Sequence, residues 1–325
     1  MIKKILRILK WTGLILLAII AIFSVVVASR QNLTYDAPYP NIKASTDSTI
    51  ILRGKELVFG PAHCADCHAP NASAEELAKN MDVPLTGGFE FSLGIANIFT
   101  RNITPDKETG IGNLTDGEIA RALRYGVKED GTALFDFMPF HNTSDEDLTA
   151  IISYIRAQKP VHNPVPENRR NIVGNVIQAF LIKPVGPKGN VVKSIRRDST
   201  IAYGEYLTNS VANCVGCHTP RDMMTGAFIG PDFSGGMGFK HPKDPDKITY
   251  FSPNLTPDKT TGRITNWTQD QFVKRFKKGK LLQYSEMPWN SFSKMSENDL
   301  KAIYKYLHTL KPVKHEFAQM SAEEK

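Results

Sequence analysis

Cysteine is scarce in this chain, with four among 325 residues, and all four fall inside two short motifs. Charge is missing altogether from Trp11 to Ala28, an 18-residue run reading WTGLILLAIIAIFSVVVA. No convincing stretch alternates apolar and polar residues, so a sheet-based fold is not expected and the class reads as mainly α with long loops. An excess of either charge is nearly absent too. The formal net charge is +7, but Lys3, Lys4, Arg7 and Lys10 account for four of those units before the apolar run. The remaining 36 basic residues exceed the 33 acidic ones by only three, which argues against nucleic acid as a partner. With 41% hydrophobic and 22% charged residues the chain is globular rather than disordered, and long enough for two domains with cores of their own.

As a helix rising about 1.5 Å per residue, the charge-free run spans roughly 27 Å, close to the hydrocarbon thickness of a bilayer. The basic cluster precedes it. The positive-inside rule then places residues 1–10 in the cytoplasm and everything beyond Arg30 outside. The expectation is a single-pass anchor (residues 1–29) in a bacterial cytoplasmic membrane, touching lipid, with the bulk of the chain on the periplasmic side. The alternative is a cleaved signal peptide ending at Val26-Val27-Ala28, though the run exceeds the usual signal core of about 7–15 residues.

The rest of the chain is written twice. HCADCHAP (63–70) returns as NCVGCHTP (213–220), and NITPDKETGIGNLTDGEIARALRYG (102–126) as NLTPDKTTGRITNWTQDQFVKRFKKG (254–279). MPF (138–140) is matched by MPW (287–289), and DLTAIISYIRAQKPV (147–161) by DLKAIYKYLHTLKPV (299–313). Four blocks in one order predict two tandem domains, 50–163 and 197–316. Each opens with a helix that carries a glycine at the same place, Gly54 and Gly204; a helical glycine costs about 1 kcal/mol relative to alanine, so a packing reason is expected. Each closes with an amphipathic helix stopped by Pro160 or Pro312. Residues 30–49 read as a flexible spacer and 317–325 as a free tail. The linker, 164–196, carries IVGNVIQAFLI with its apolar side chains on one helical face. That face could pack between the domains, or meet the membrane surface or a partner subunit.

Cys64, Cys67, Cys214 and Cys217 all belong to C-x-x-C-H motifs, the attachment sites of c-type haem. Two thiols three positions apart can add to the two vinyl groups of one porphyrin edge, and the adjacent His68 or His218 can turn onto the iron. A thiol-redox pair needs no histidine, and neither does a disulfide. A zinc site would place its pairs about 15–20 residues apart, whereas 146 residues separate Cys67 from Cys214. Two haem c groups are therefore expected. For the sixth iron ligand the methionines compete: Met81 and Met138 in the first copy, and Met223, Met224, Met237, Met287 and Met295 in the second. Only Met138 and Met287 share the M-P-aromatic context and a similar spacing, 70 and 69 residues after His68 and His218. His63 has no counterpart, and His141, His162, His241, His308 and His315 read as surface residues.

Through these residues the sequence resembles exported class I c-type cytochromes. More narrowly it resembles the multihaem cytochrome subunits of bacterial membrane-bound alcohol, aldehyde and gluconate dehydrogenases. NITPDKETGIG and NLTPDKTTGRI, MPF and MPW, and the closing helices ending in KPV carry the likeness, over roughly residues 48–316. The resemblance implies a class I fold in which Gly54 crosses the closing helix near Tyr154, and Gly204 near Tyr306. It also implies electron-exchanging partners. There are departures: that group commonly carries three haems and an anchor elsewhere, and its usual tryptophan, Trp267 here, is Leu114 in the first copy.

The expected role is an electron carrier rather than an enzyme. A haem with histidine and methionine on its axial positions has no open site, and methionine raises its potential. Two of them would relay electrons between a dehydrogenase or quinol-oxidising complex and a downstream acceptor, a terminal oxidase or soluble cytochrome. A di-haem peroxidase or thiosulfate-oxidising enzyme is the alternative, but it would be expected to differentiate its haems.

Overall fold

The protein is described by a computed structural model in which residues 2–79, 82–222, 227–241, 244, 249–282 and 284–316 are placed. The 317–325 tail, Met81, Met223 and Met224 lie outside the described residues. The chain is mainly helical. Helix α1 (Ile2–Arg30) contains the apolar run and buries none of it. The first copy follows with α2 (Ser48–Phe59), α3 (Cys64–His68), α4 (Ala74–Lys79), strands β1 (Glu90–Ser92) and β2 (Ala96–Phe99), α5 (Asp116–Tyr125) and α6 (Asp145–Ala157). Strand β3 (Arg169–Arg170) and α7 (Ile172–Phe180) form the linker. The second copy has α8 (Ile201–Tyr206) running into a π-helical turn at Leu207–Val211, then α9 (Cys214–His218). Strands β4 (Gly238–Lys240) and β5 (Thr249–Phe251) follow, with α10 (Gln269–Lys277), α11 (Trp289–Phe292) and α12 (Glu297–Leu307).

The strands correct one expectation. β1, β2 and β3 form an antiparallel sheet, and β4 pairs with β5 at the same place in the second copy. None exceeds four residues, too short for alternation to show in the sequence.

The opening helix of each copy crosses its closing helix at the glycine. A Cβ on Gly54 would overlap the Ala150 carbonyl and lie 2.7 Å from the Tyr154 Cβ; one on Gly204 would overlap that of Ala302 and lie 2.9 Å from the Tyr306 Cβ. In the first copy, Leu57 and Val58 of α2, and Leu148, Ile151 and Ile152 of α6, are almost wholly buried. Capping holds the ends. Thr115, Thr268 and Ser296 each accept a backbone N–H three residues on, and the residue at that third position reaches back.

The two copies share a continuous core, and their junction is polar at its centre. The Arg53 guanidinium donates to both oxygens of Asp147, at 3.0 and 3.3 Å, and meets the Tyr203 hydroxyl at 3.5 Å. Tyr203 donates to Asp299 at 2.9 Å, and Tyr206 to Asp147 at 2.9 Å. Residues 53 and 203 occupy the same position in the repeat, as do 147 and 299. A position meeting its own counterpart is the contact pattern of a two-fold interface.

Of residues 30–49, read as a flexible spacer, the stretch 31–47 between α1 and α2 instead lies along the first copy. Tyr35 N–H donates to Gly131 at 2.8 Å, Arg121 donates to the Tyr39 hydroxyl at 2.8 Å and the Tyr35 carbonyl at 2.9 Å, and Ile42 is buried. The aromatic and aliphatic residues in this segment supply the apolar surface that a free spacer would lack.

Alanine at Gly54 or Gly204 is expected to destabilise the protein by about 1–3 kcal/mol, the usual cost of overpacking. Alanine's helix preference favours the variant by about 1 kcal/mol, so a lowered midpoint in chemical unfolding isolates the clash. An unchanged or raised midpoint would contradict the close crossing.

Candidate haem sites

Each C-x-x-C-H motif forms one short helix, α3 or α9, entered through a left-handed residue: His63 at φ 40° and Asn213 at φ 47°. Asparagine tolerates that conformation better than most side chains, histidine somewhat less so. The helical turn places both cysteines of a motif along one edge and buries the histidine at its end. None of the four cysteines is paired in a disulfide. Burial, and then the neighbouring cysteine, pushes Cys64 and Cys214 up to about 12; burial alone is the main cause of Cys67 rising to about 11.

The histidines are oriented alike. His68 Nδ1 bonds the Arg101 carbonyl at 2.8 Å, and His218 Nδ1 bonds the Pro253 carbonyl at 2.8 Å. A carbonyl partner fixes Nδ1 as the protonated nitrogen and leaves the Nε2 lone pair for a metal. Burial lowers the pKa of both rings, which favours the neutral form that ligates.

The N-[IL]-T-P-D motif begins one residue after each of those carbonyls. Buried Asn102 accepts from the Thr104 N–H and hydroxyl at 3.0 and 2.8 Å, and donates to Thr109 at 3.1 Å and the Val161 carbonyl at 2.8 Å. Asn254 does the same with Thr256, Thr261 and Val313, at 2.9, 2.7, 2.9 and 2.8 Å. The asparagine therefore ties the loop that presents the histidine's carbonyl to the KPV segment beyond the closing helix. Asp106 and Asp258 tighten the same loop by accepting the N–H and hydroxyl of Thr109 and Thr261.

In the second copy, Cys214, Cys217, His218 and Met287 line one cavity of about 370 Å³, walled by Trp267, Phe272 and Phe276. Arg275 also lines it, its guanidinium 3.6 Å over the Trp289 ring and bonded to the Gly279 carbonyl at 2.9 Å. This donor set fits a c-type haem: two thiols, an oriented imidazole and a thioether around a largely apolar space that Arg263 and Arg275 also line. In the first copy Met138 and Cys64 pack against the shared core, and Met138 borders a small cleft with His141 and Asp136. Leu114, in the place of Trp267, also packs on that core. Of the other methionines, Met295 is buried in the core, and Met237 lies beside β4.

Two histidines differ from expectation. His141 is buried, with Nδ1 3.1 Å from the Arg124 carbonyl and Nε2 2.9 Å from Asp136. His241 is buried against Tyr284 and Tyr250, at 4.3 and 5.6 Å between ring centroids. His63, beside Cys64 of the first motif, lines the cavity of the second copy and meets Phe292 edge-on at 5.5 Å. Asp66 in α3, raised by burial, bonds Ser291 in α11. The first motif thus abuts the loop that carries Met287.

Residues 199–307 match the family described as cytochrome c oxidase, cbb3-type, subunit III. They are a cytochrome c domain. The wider chain is similar to the fructose dehydrogenase cytochrome subunit of Gluconobacter japonicus, 29% identical over 86% of this chain and 56% of that protein. It is also similar to the cytochrome c subunit of the quinone alcohol dehydrogenase of Gluconobacter oxydans, 31% identical over 82% of this chain and 56% of that one. A diheme cytochrome c-type protein of Cereibacter sphaeroides is 26% identical over 78% of this chain and 83% of its own length. The chain spans a little over half the length of the two dehydrogenase subunits. Within the cytochrome c domain lie Cys214, Cys217, His218 and Met287, the whole donor set of the second cavity.

The bonds to Thr260 and Thr261 hold the Asp258 carboxyl at about 2, against an ordinary 3.8. A carboxylate with a depressed folded pKa stabilises the fold above its unfolded value and loses that contribution as pH falls through the folded one. The stability difference between wild type and Asp258→Asn should therefore be full at neutral pH and shrink between about pH 4 and pH 2. Chemical unfolding across that range measures it; a pH-independent difference would contradict the assignment.

Proposed function

We propose that residues 50–163 and 197–316 are two class I cytochrome c-like domains, each holding one covalent haem c. Cys64 and Cys67, and Cys214 and Cys217, attach the groups; His68 with Met138, and His218 with Met287, serve as axial ligands. The chain is then an electron-transfer subunit, with no catalytic residues of its own. What carries this reading is the repetition of one device in both copies: a buried histidine held through Nδ1 by the carbonyl that precedes an asparagine-centred loop.

When bound, haem c supplies one-electron chemistry, and methionine ligation favours the reduced state. The protein's part is to exclude water, hold the ring orientation, and keep both axial positions filled. Matching ligands in both copies favour a relay over a di-haem peroxidase, which needs one open position. His63 and Phe292 bring the first C-x-x-C-H motif against the second cavity, which supports two sites close enough to exchange electrons. The dehydrogenase subunits among the relatives support a membrane or periplasmic dehydrogenase, or a quinol-oxidising complex, as donor. A terminal oxidase or soluble cytochrome is the acceptor class. The α1 anchor and the basic residues before it support a single-pass placement, with the haem domains on the periplasmic side.

Both haems should be low-spin in the resting ferric protein, with the weak near-infrared band of a methionine-sulfur ligand. Met138→Ala should convert one haem to a high-spin form that binds cyanide rapidly, and Met287→Ala the other, each taking about half of the signal. A wild-type protein with one high-spin haem that turns over peroxide would favour the enzyme reading instead.

A further inference from the structure

Helix α7 buries its small residues, leaves Ile172 and Val173 exposed and its other large apolar residues half-buried. Gly174 and Ala179 are buried, and a Cβ on Gly174 would overlap the Ile95 carbonyl of the β1–β2 turn. Ile172 is 83% exposed and Val173 56%, while Leu181, just past the helix, is 55% exposed. With Val176 and Phe180 they form an apolar stripe on a helix, IVGNVIQAF, that has no charged residue. Exposed Leu93 extends the patch, because Asn171 donates to the Gly94 carbonyl at 3.0 Å and brings that turn alongside. Two exposed cations, Arg169 and Lys183, bracket the helix.

The neighbour of this patch says what covers it. Phe180 stacks on Phe23 of α1, with ring centroids 6.1 Å apart. Arg30 of α1 lies 5.2 Å over the Phe180 ring and donates to the Ala179 carbonyl at 3.3 Å, at the negative end of the α7 dipole. Phe23 lies five residues inside the charge-free run that ends at Ala28, about 7.5 Å along the helix. Helices that lie in a membrane interface sink about 5–10 Å into the headgroup–acyl boundary. The depth at which α7 grips α1 falls in that range, and the flanking cations suit lipid phosphates.

We propose that α7 is a second membrane contact, lying at the headgroup–acyl boundary of the leaflet where α1 ends, so that the first copy is seated on the bilayer. The proposal rests on the reading of α1 as a membrane anchor. Lipid is favoured over a protein subunit because the exposed stripe packs beside a face of α1 that the anchor reading places in lipid.

The test uses the full haem-loaded chain in lipid nanodiscs. With the native cysteines consumed as thioethers, a single introduced cysteine can carry a spin label at Val173→Cys or Leu181→Cys. Leu16→Cys in α1 and Lys259→Cys, exposed in the second copy, serve as controls, and an unchanged haem spectrum confirms folding. Power saturation should find positions 173 and 181 relaxed severalfold more by oxygen than by a water-soluble nickel chelate, as at 16, with the order reversed at 259. Labels at 173 and 181 that behave like 259 would overturn the proposal. So would labels shielded from both reagents, which would mean a protein subunit covers the helix. A chelate-accessible label at 16 would overturn the anchor reading as well, so the two failures are distinguishable.

Discussion

A single hydrogen bond, made twice, sets the geometry of the proposed haem sites. A histidine that follows C-x-x-C can ligate iron only if its ring is turned and its tautomer fixed, and the Nδ1 bond to a backbone carbonyl does both. That carbonyl sits in a loop, and a loop alone would not hold it. Asn102 and Asn254 do, each making three hydrogen bonds within the loop and one to the segment after the closing helix. With the amide nearly sealed from water, losing it would leave several polar groups unpaired, at about 1–3 kcal/mol each. The carbonyl therefore has little freedom to move, and neither has the imidazole.

The closing helix gains its position from the other end of the copy. At Gly54 and Gly204 the absence of a Cβ lets two helices touch backbone to backbone, which fixes α6 and α12 and with them the KPV segments that the asparagines grip. The same helices carry Asp147 and Asp299, which meet Arg53, Tyr203 and Tyr206 at the junction of the copies. A buried arginine is stabilised here by a two-bonded carboxylate, and truncating either partner would strand the other's charge. This interlocking makes the spacing between the two proposed haems a property of one core rather than of a flexible linker. A relay requires that constancy.

Much of this was legible in the sequence because duplication turns weak signals into strong ones. One methionine among several is ambiguous, but Met138 and Met287 stand out once the copies are aligned. Gly54 and Gly204, unfavourable in helices on propensity alone, called for a packing reason, and the resemblance to class I cytochromes implied the crossing that the structure contains. What escaped notice was short or long-range. The strands are at most four residues long, and His141 and His241 are buried by partners distant in sequence or by ring contacts that leave no pattern. Residues 31–47 lack helical or strand periodicity, yet they pack through Tyr39, Ile42 and individual backbone bonds. The contact of His63 with the second cavity arises only from how the copies dock, which no local signal encodes.

With the proposed anchor and interfacial helix, the fused core would form a two-site conductor at a membrane surface, and that relay role depends on there being two covalent haems. The intact chain, purified from cells able to attach haem, then denatured and weighed by mass spectrometry, tests this most directly. The account predicts a mass equal to the polypeptide plus two haems, falling to one haem when either pair, Cys64 with Cys67 or Cys214 with Cys217, is changed to alanine. A wild-type chain that carries a single haem, or releases either one on denaturation, would contradict it.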